Sequence, residues 1–563
     1  MMEASASIRF VMGRSNNRVA AAVVIAIALA AAAAGLSAAR AWRPKPTTMA
    51  PRLLGPAPAG ERIRFTLLMR LPGAAHARAL VRAIEDPSSP QFRHFVSPTE
   101  YGPRFGISTA RLAALERTLR GHGLRVIASF PQRTELIVTG TVRTVERLLH
   151  VKILTYADGA GNRFHVPRGT PVIPPDLSDG VAVTGLDTRP RWRPNDVPIG
   201  GLTPTTSDAA YDVGPLRAAG FDGNGKTIAV ISFSSSDPGD PAAWMNHYGV
   251  NGPAVRFVSV DGGASRSDGA DENNLDIEVI RDIAPAARIM MYELPPTTGA
   301  YGDAVNRIVA DHQTDIISSS WGEGCEVGLD RAERAATDSA LSAAVATGVT
   351  TFVASGDSGA YDCQRNNLSD HRLSVDWPAA SSNVVAVGGT RLDVAGNGSY
   401  LGETGWEDQL SDAGGGGGFS VTDPRPKWQT GPGVLSNLSN GRRQVPDVSA
   451  DADPSTGWSE YSQGQAGEAG GTSAATPLWA ASMLLIEQYA SSHGVPRLGF
   501  VDPLLYTLAR STQQFPPFHD VTLGGNRHYQ AGPGWDPATG LGSPDVFNLA
   551  RDLVAYLRAH PVR

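Results

Sequence analysis

Lys226-Thr227-Ile228-Ala229-Val230-Ile231-Ser232-Phe233 is a short, nearly uninterrupted apolar run, and it decides the fold. A run of this length without polar alternation reads as a strand buried on both faces. Further strands are predicted at 255–260, 289–294, 316–320, 350–354 and 383–387. Helices are predicted through 274–283, from Ala304, through 332–347 and from near Ser473. Strands alternating with helices imply an α/β domain built on a parallel sheet covered on both faces. In such sheets the reactive side chains stand at the carboxyl ends of the strands.

Upstream the pattern differs. Strand 62–69, helices 74–85 and 108–120, strands 124–130 and 134–140, helix 141–150 and strand 151–156 follow in the order β-α-β-β-α-β, which predicts a ferredoxin-like α+β domain. A helical insertion near 97–105 opens on Ser97-Pro98-Thr99-Glu100, a capping box. Between Thr188 and Pro204, four prolines alternate with Arg189, Arg191 and Arg193, as in an extended linker open to proteolysis. Arg14 and Arg18 precede an uncharged run, 19–36, with small residues at Ser37, Ala38 and Ala39. Residues 1–41 therefore read as a cleaved export signal, or as an uncleaved membrane anchor. The expected layout is leader 1–41, N-terminal domain 50–187, linker 188–204 and main domain 205–563.

The chain has 563 residues, 41% hydrophobic and 18% charged, which is too apolar for general disorder. Its 62 glycines follow no three-residue period, excluding a collagen-like fold. A net charge of −6 without a basic block argues against nucleic acid as a partner. Cys325 and Cys363 are the 2 cysteines, a candidate disulfide in an exported chain, or two unpaired small residues.

The chemistry centres on Gly470-Gly471-Thr472-Ser473-Ala474-Ala475-Thr476-Pro477, which runs into an apolar helical stretch. Small residues around a serine at a helix start admit a substrate, and free N–H groups there can hold an anion, although Thr472-Ser473 alone also suits an N-cap. None of the 12 histidines is followed by Gly-Thr, so the base for this serine lies elsewhere. Glu272 and Asp276 stand at i and i+4, stacked on one helix face where like charges are unfavourable unless one is protonated or paired. A carboxylate serves as a general base in an acidic medium or with a raised pKa, so an acidic working pH is implied. The alternative is a pair of solvated first-turn acids. Asp357, in Ser355-Gly356-Asp357-Ser358-Gly359 after strand 350–354, could if protonated donate to an oxyanion, or form an Asx-turn.

Ser473 in its Gly-Gly-Thr-Ser-Ala setting, the Glu272/Asp276 pair and Asp357 resemble the sedolisin family of serine-carboxyl peptidases, kumamolisin-like members above all. Asp86-Pro87-Ser88-Ser89-Pro90-Gln91-Phe92 is similar to that family's activation pro-domain, so the resemblance runs from about Arg62 to the C-terminus. It implies a subtilisin-like fold in which Glu272 is the general base, Asp276 positions it, Asp357 holds the oxyanion and Ser473 is the nucleophile. It also implies one Ca2+ bound by the side chains of Asp520 and Asp536 and the carbonyls of Val521, Gly532 and Gly534, a hard oxygen set. The sequence departs from some members at Ser232, where they carry a further Glu, while Trp321 matches an aromatic residue beside that relay. Asp376 is expected to line the cleft or to be a buried structural acid, and the run 414–418 to be a loop where a ligand backbone passes. The expectation is a secreted, monomeric endopeptidase zymogen acting on protein or peptide substrates, with its own pro-domain as intramolecular inhibitor and no membrane contact beyond an uncleaved anchor. The competing expectation is a non-catalytic, calcium-stabilised binding protein on the same scaffold.

Overall fold

The computed structural model describes residues 51–561 apart from 159–160, 190–192, 195–196, 199–200, 265–266 and 496. The leader or anchor expected at 1–41 lies outside the described residues, and none of the described helices is long and apolar enough to cross a membrane.

Strand Thr227–Ser232 is central in the main sheet, flanked by Arg288–Glu293 and Ile316–Ser319, both parallel to it. Outward, Arg256–Ser259 pairs with Arg288–Glu293, and Thr350–Ala354 joins Ile316–Ser319 to Val385–Val394, all in parallel. Val448–Asp451 adds to Val385–Val394 in parallel. Tyr400–Gly405 runs antiparallel to that same strand, so the sheet is mixed and not wholly parallel as expected. A direct return through 395–399, where Ala395 N donates to Ser399 O, leaves no room for a crossover helix.

Alternation along the central strand sends Ile228 and Val230 to one core and Ala229 and Ile231 to another. The helices Ala270–Ile283 and Thr472–Ser492 contribute to the first core, and Ala300–Asp311 to the second.

The N-terminal region is α+β. Its four-stranded sheet runs Arg125–Ser129, Glu135–Thr141, Arg62–Met69, Gly180–Thr184, all antiparallel. The expected closing strand, 151–156, is not part of it. Lys152–Ala157 instead forms a hairpin with Arg163–Arg168 and pairs on its other edge with Arg52–Pro56. The Asp158 turn favours that local partner, and Gly180–Thr184 takes the free edge of Arg62–Met69. The Ser97 capping box closes in both directions.

This region shares a core with the main domain: Leu80, Val81, Ile84 and Phe92 belong to the cluster that holds Ala343, Phe500 and Leu504. Phe95 fills a notch in which a Cβ on Gly499 would lie 1.8 Å from its ring and one on Gly348 2.7 Å away. Val96 N donates to Ala346 O at 3.0 Å beside it.

Cys325 and Cys363 form a disulfide closing a separation of 38 residues, which settles the alternative left by the sequence. Replacing both by serine, in a Ser473→Ala chain to prevent self-digestion, is expected to lower unfolding stability by about 3 to 4 kcal/mol. Guanidinium unfolding checks this; an unchanged midpoint would show that the surrounding loops hold without the bond.

Candidate active site

Helix Ala270–Ile283 begins four residues before the predicted start, so Glu272 and Asp276 lie in its first two turns. Neither is solvated: both are 0% exposed, which removes the reading as surface first-turn acids. Two stacked carboxyls withdrawn from water need specific surroundings. Ser320, at the carboxyl end of strand Ile316–Ser319, supplies part of them, with its Oγ 2.7 Å from Asp276 Oδ1.

The same Ser320 reaches Ser473. Its Oγ is 3.2 Å from Ser473 O, and Ser473 Oγ donates to Ser320 O at 3.4 Å. Pro477 explains why Ser473 O is open to this contact: in helix Thr472–Ser492 proline lacks the N–H that would bond the carbonyl four residues earlier. Gly471 starts that helix at φ 89°, a conformation for which glycine is suited. Ser320 is the residue that sequence reasoning missed; a serine after an apolar strand gave no signal before its neighbours in space were known.

Asp357 follows strand Thr350–Ala354 and turns back to the same helix start. Its Oδ1 accepts from Thr472 N and Thr472 Oγ1, both at 2.8 Å. Thr472 Oγ1 in turn accepts from Gly356 N at 3.2 Å, so its own proton points to Asp357. Asp357 Oδ2 is shielded from solvent and has no hydrogen-bond partner among the described residues, although the residue as a whole is only partly buried. Burial raises this carboxyl to about 7, against the lowering pull of the Thr472 backbone bond and the Arg365 charge. Below that pH the proton sits on the unpartnered oxygen and can be donated.

The glycine run does approach a backbone closely, but the backbone is the chain's own. A Cβ on Gly416 would lie 1.9 Å from Ser355 O, and Gly416 N and Gly414 N donate to Gly356 O and Asp357 O at 2.7 and 3.0 Å. The run braces the Asp357 turn. Asp376 is buried, paired with Arg365 at 2.8 Å and accepting from Gly324 N at 2.8 Å, as the buried structural acid of the two expectations would be. Ser232 Oγ donates to Asn273 Oδ1 at 2.5 Å, beside Glu272 in sequence, and Trp321 packs on Phe233 and closes against Gly269.

Asp520 and Asp536 meet around one turn. Gly534 N donates to Asp520 at 3.0 Å, and Asp536 accepts from Gly532 N, Ala538 N, Thr539 N and Thr539 Oγ1. Thr539 Oγ1 also lies 3.4 Å from Val521 O. Burial raises the Asp536 carboxyl to about 6.

Two family models match: the pro-kumamolisin activation domain over residues 52–189 and the subtilase family over 262–501. Kumamolisin of Bacillus sp. (strain MN-32) is 34% identical over 89% of this chain and 93% of its own length. Sedolisin of Pseudomonas sp. (strain 101) is 30% identical over 89% and 88%. This chain belongs to the sedolisin family of serine-carboxyl peptidases. The solved structure of Pseudomonas sedolisin, a serine-carboxyl proteinase complexed with pseudo-iodotyrostatin, superposes with a TM-score of 0.55 at 31% identity, covering 64% of this chain and 99% of that one. Family membership makes the chain a serine-type endopeptidase, of a class that is secreted, acid-acting and activated from a zymogen.

The Ser320 bridge joins Asp276 to Ser473, so its share in turnover can be measured. Ser320→Ala removes a hydrogen bond to a carboxyl and is expected to lower kcat by roughly 10-fold or more with little change in KM, in steady-state hydrolysis of an unfolded substrate. A KM effect alone would mean that Ser320 serves substrate binding.

Proposed function

We propose that this chain is the secreted zymogen of an acid-acting endopeptidase whose catalytic set is Ser473, Glu272, Asp276 and Asp357. Ser473 Oγ attacks the scissile carbonyl carbon while Glu272 takes the hydroxyl proton. Asp276, held by Ser320, positions Glu272. The developing oxyanion receives the proton-bearing Oδ2 of Asp357. Glu272 then delivers its proton to the leaving amine as the C–N bond breaks, leaving an acyl group on Ser473. Water repeats the sequence in reverse and releases the acid. The observation that carries this reading is the Asp276–Ser320–Ser473 chain with Asp357 on the adjoining Thr472.

The pH dependence follows from Asp357. Its oxyanion-donating form is the protonated one, so activity is present below about 7 and lost as the pH rises through that value. This reading also fits a missing carboxylate at Ser232, because the acid requirement does not depend on that position.

The linker supports self-processing. Arg193–Pro194 pairs antiparallel with Trp321–Gly322, directly after Ser320, and Val197–Pro198 pairs antiparallel with Ala469–Gly470, shortly before Ser473. Strand pairing of this kind on both sides of Ser473 is how a substrate backbone is held, and it supports a cut, within 188–204, at one of the bonds between Pro194 and Val197. The N-terminal region, 50–187, then acts as a pro-domain that both blocks the cleft and completes a shared core. Its strand order, with helices Ala74–Glu85 and Val142–Leu149, supports the ferredoxin-like reading.

Calcium is part of the proposal. Two carboxylates and nearby carbonyls of 520–536 form a hard oxygen set, and a cation would compensate the buried Asp536 carboxyl. Asp520, Val521, Gly532, Gly534 and Asp536 would hold it, and its role there is to stabilise the C-terminal loops. Among the described residues no group of three or more His, Cys, Asp or Glu gathers as a metal site, so the proposed site rests on two carboxylates and carbonyls.

The test is incubation of purified full-length wild type and Ser473→Ala at pH 4, followed by N-terminal sequencing. The wild type is expected to yield a product starting between 195 and 197, and the variant to remain uncut. Equal processing of the variant, or a start outside that window, contradicts the reading.

A further inference from the structure

Glu278 is on the same helix as Glu272 and Asp276, yet it serves another neighbour. Its Oε2 accepts from Tyr461 N at 3.0 Å, on the hairpin formed by Trp458–Ser462 and Gln465–Gly470. Glu278 is 1% exposed, and its Oε1 is shielded from solvent with no hydrogen-bond partner among the described residues. One turn earlier, Asn274 Nδ2 reaches Ser462 Oγ at 3.3 Å and Asp240 Oδ2 at 3.4 Å. Asp240, from helix Gly239–Tyr248, accepts from Gln463 N at 2.7 Å and Gly464 N at 3.1 Å at the hairpin tip. The second hairpin strand runs straight into Gly471, Thr472 and Ser473.

The charges that act on Glu278 are Glu460 from the hairpin and Asp240 from the neighbouring helix, both negative. Burial, reinforced by these two, raises the Glu278 carboxyl to about 10. The strap is therefore a neutral carboxyl in a closed, anion-lined space. Ionising it in place would set a third negative charge against the hairpin.

We propose that Glu278 is a positioning residue whose protonated carboxyl straps the hairpin leading to Ser473 onto the helix carrying Glu272 and Asp276, so that rising pH loosens the catalytic constellation by opening this hairpin. The functional consequence rests on the catalytic reading given above; the structural part does not. The sign follows from linkage. In the closed form Glu278 keeps its proton, whereas in the open form it faces water and titrates near an ordinary ~4.3. Below that pH both forms are protonated and opening is unaffected. Above it, opening releases a proton and becomes easier by up to about 10-fold per pH unit.

The test is hydrogen–deuterium exchange on the full chain carrying Ser473→Ala, at pH 4.5 and pH 7, after correction for intrinsic rates. Hairpin amides within 459–469 are expected to lose about 10- to 100-fold of protection between the two pH values. With Glu278→Gln added, the acceptor for Tyr461 N is kept and the titration removed, so the loss is expected to shrink by at least 10-fold. Glu278→Ala, which lacks the acceptor, is expected to show weak hairpin protection at both pH values. The same pH-dependent loss with Glu278→Gln as without it overturns the proposal. If the glutamine variant does not accumulate, the pH series on the Ser473→Ala chain alone decides: hairpin protection that stays the same between pH 4.5 and pH 7 overturns the proposal. The readout needs no turnover, so an active Ser473→Ala chain would sink the catalytic reading and leave this one standing.

Discussion

Asp357 and Thr472 share two hydrogen bonds that both fall on one carboxyl oxygen, and the rest of the site is arranged around that asymmetry. The bonds tie the carboxyl end of strand Thr350–Ala354 to the first residue of the Ser473 helix, so the proposed nucleophile and the proposed oxyanion donor are set by one contact. With Oδ1 used by Thr472, the proton of the neutral acid belongs on Oδ2. Burial outweighs the stabilisation that Thr472 and Arg365 give to the charged form, and the carboxyl stays neutral in mild acid. A histidine-based site needs its base deprotonated and so favours neutral pH; with Asp357 in the proposed oxyanion role, the electrophilic partner must keep a proton, and the requirement is reversed.

Holding a buried acid in this way demands rigid surroundings. The glycine run lets two backbones pack without side chains between them and delivers N–H groups to Gly356 O and Asp357 O. The disulfide joins the segment after Trp321–Gly322 to the one after Asp357, and the Arg365–Asp376 pair lies between them. On the other side of Ser473, Pro477 withholds one helical hydrogen bond, and Ser320 uses the freed carbonyl while it holds Asp276.

Much of this could be read from the chain because it is encoded locally. The apolar run at Thr227–Ser232, the i,i+4 carboxyls, the helix start at Ser473 and the Ser97 capping box each depend on residues a few positions apart. Long-range choices were less legible. The strand at Lys152–Ala157 has the composition to close the N-terminal sheet, but an adjacent turn gave it a nearer partner. The glycine run announced a close approach without naming which backbone approaches. Asp376 left open cleft or core, and only its pairing with Arg365 decided between them. Ser320 carries no motif at all, since its value comes from three elements converging on one hydroxyl.

The central claim is that Asp357 is a neutral acid under working conditions. The most direct test is a carbon-13 NMR titration of its side-chain carboxyl in the folded Ser473→Ala chain, assigned by comparison with Asp357→Asn. A midpoint near 7 is predicted, with the proton lost only as activity would disappear. A midpoint near the ordinary ~3.9 would contradict the account, because an ionised Asp357 would repel the oxyanion it is assigned to hold.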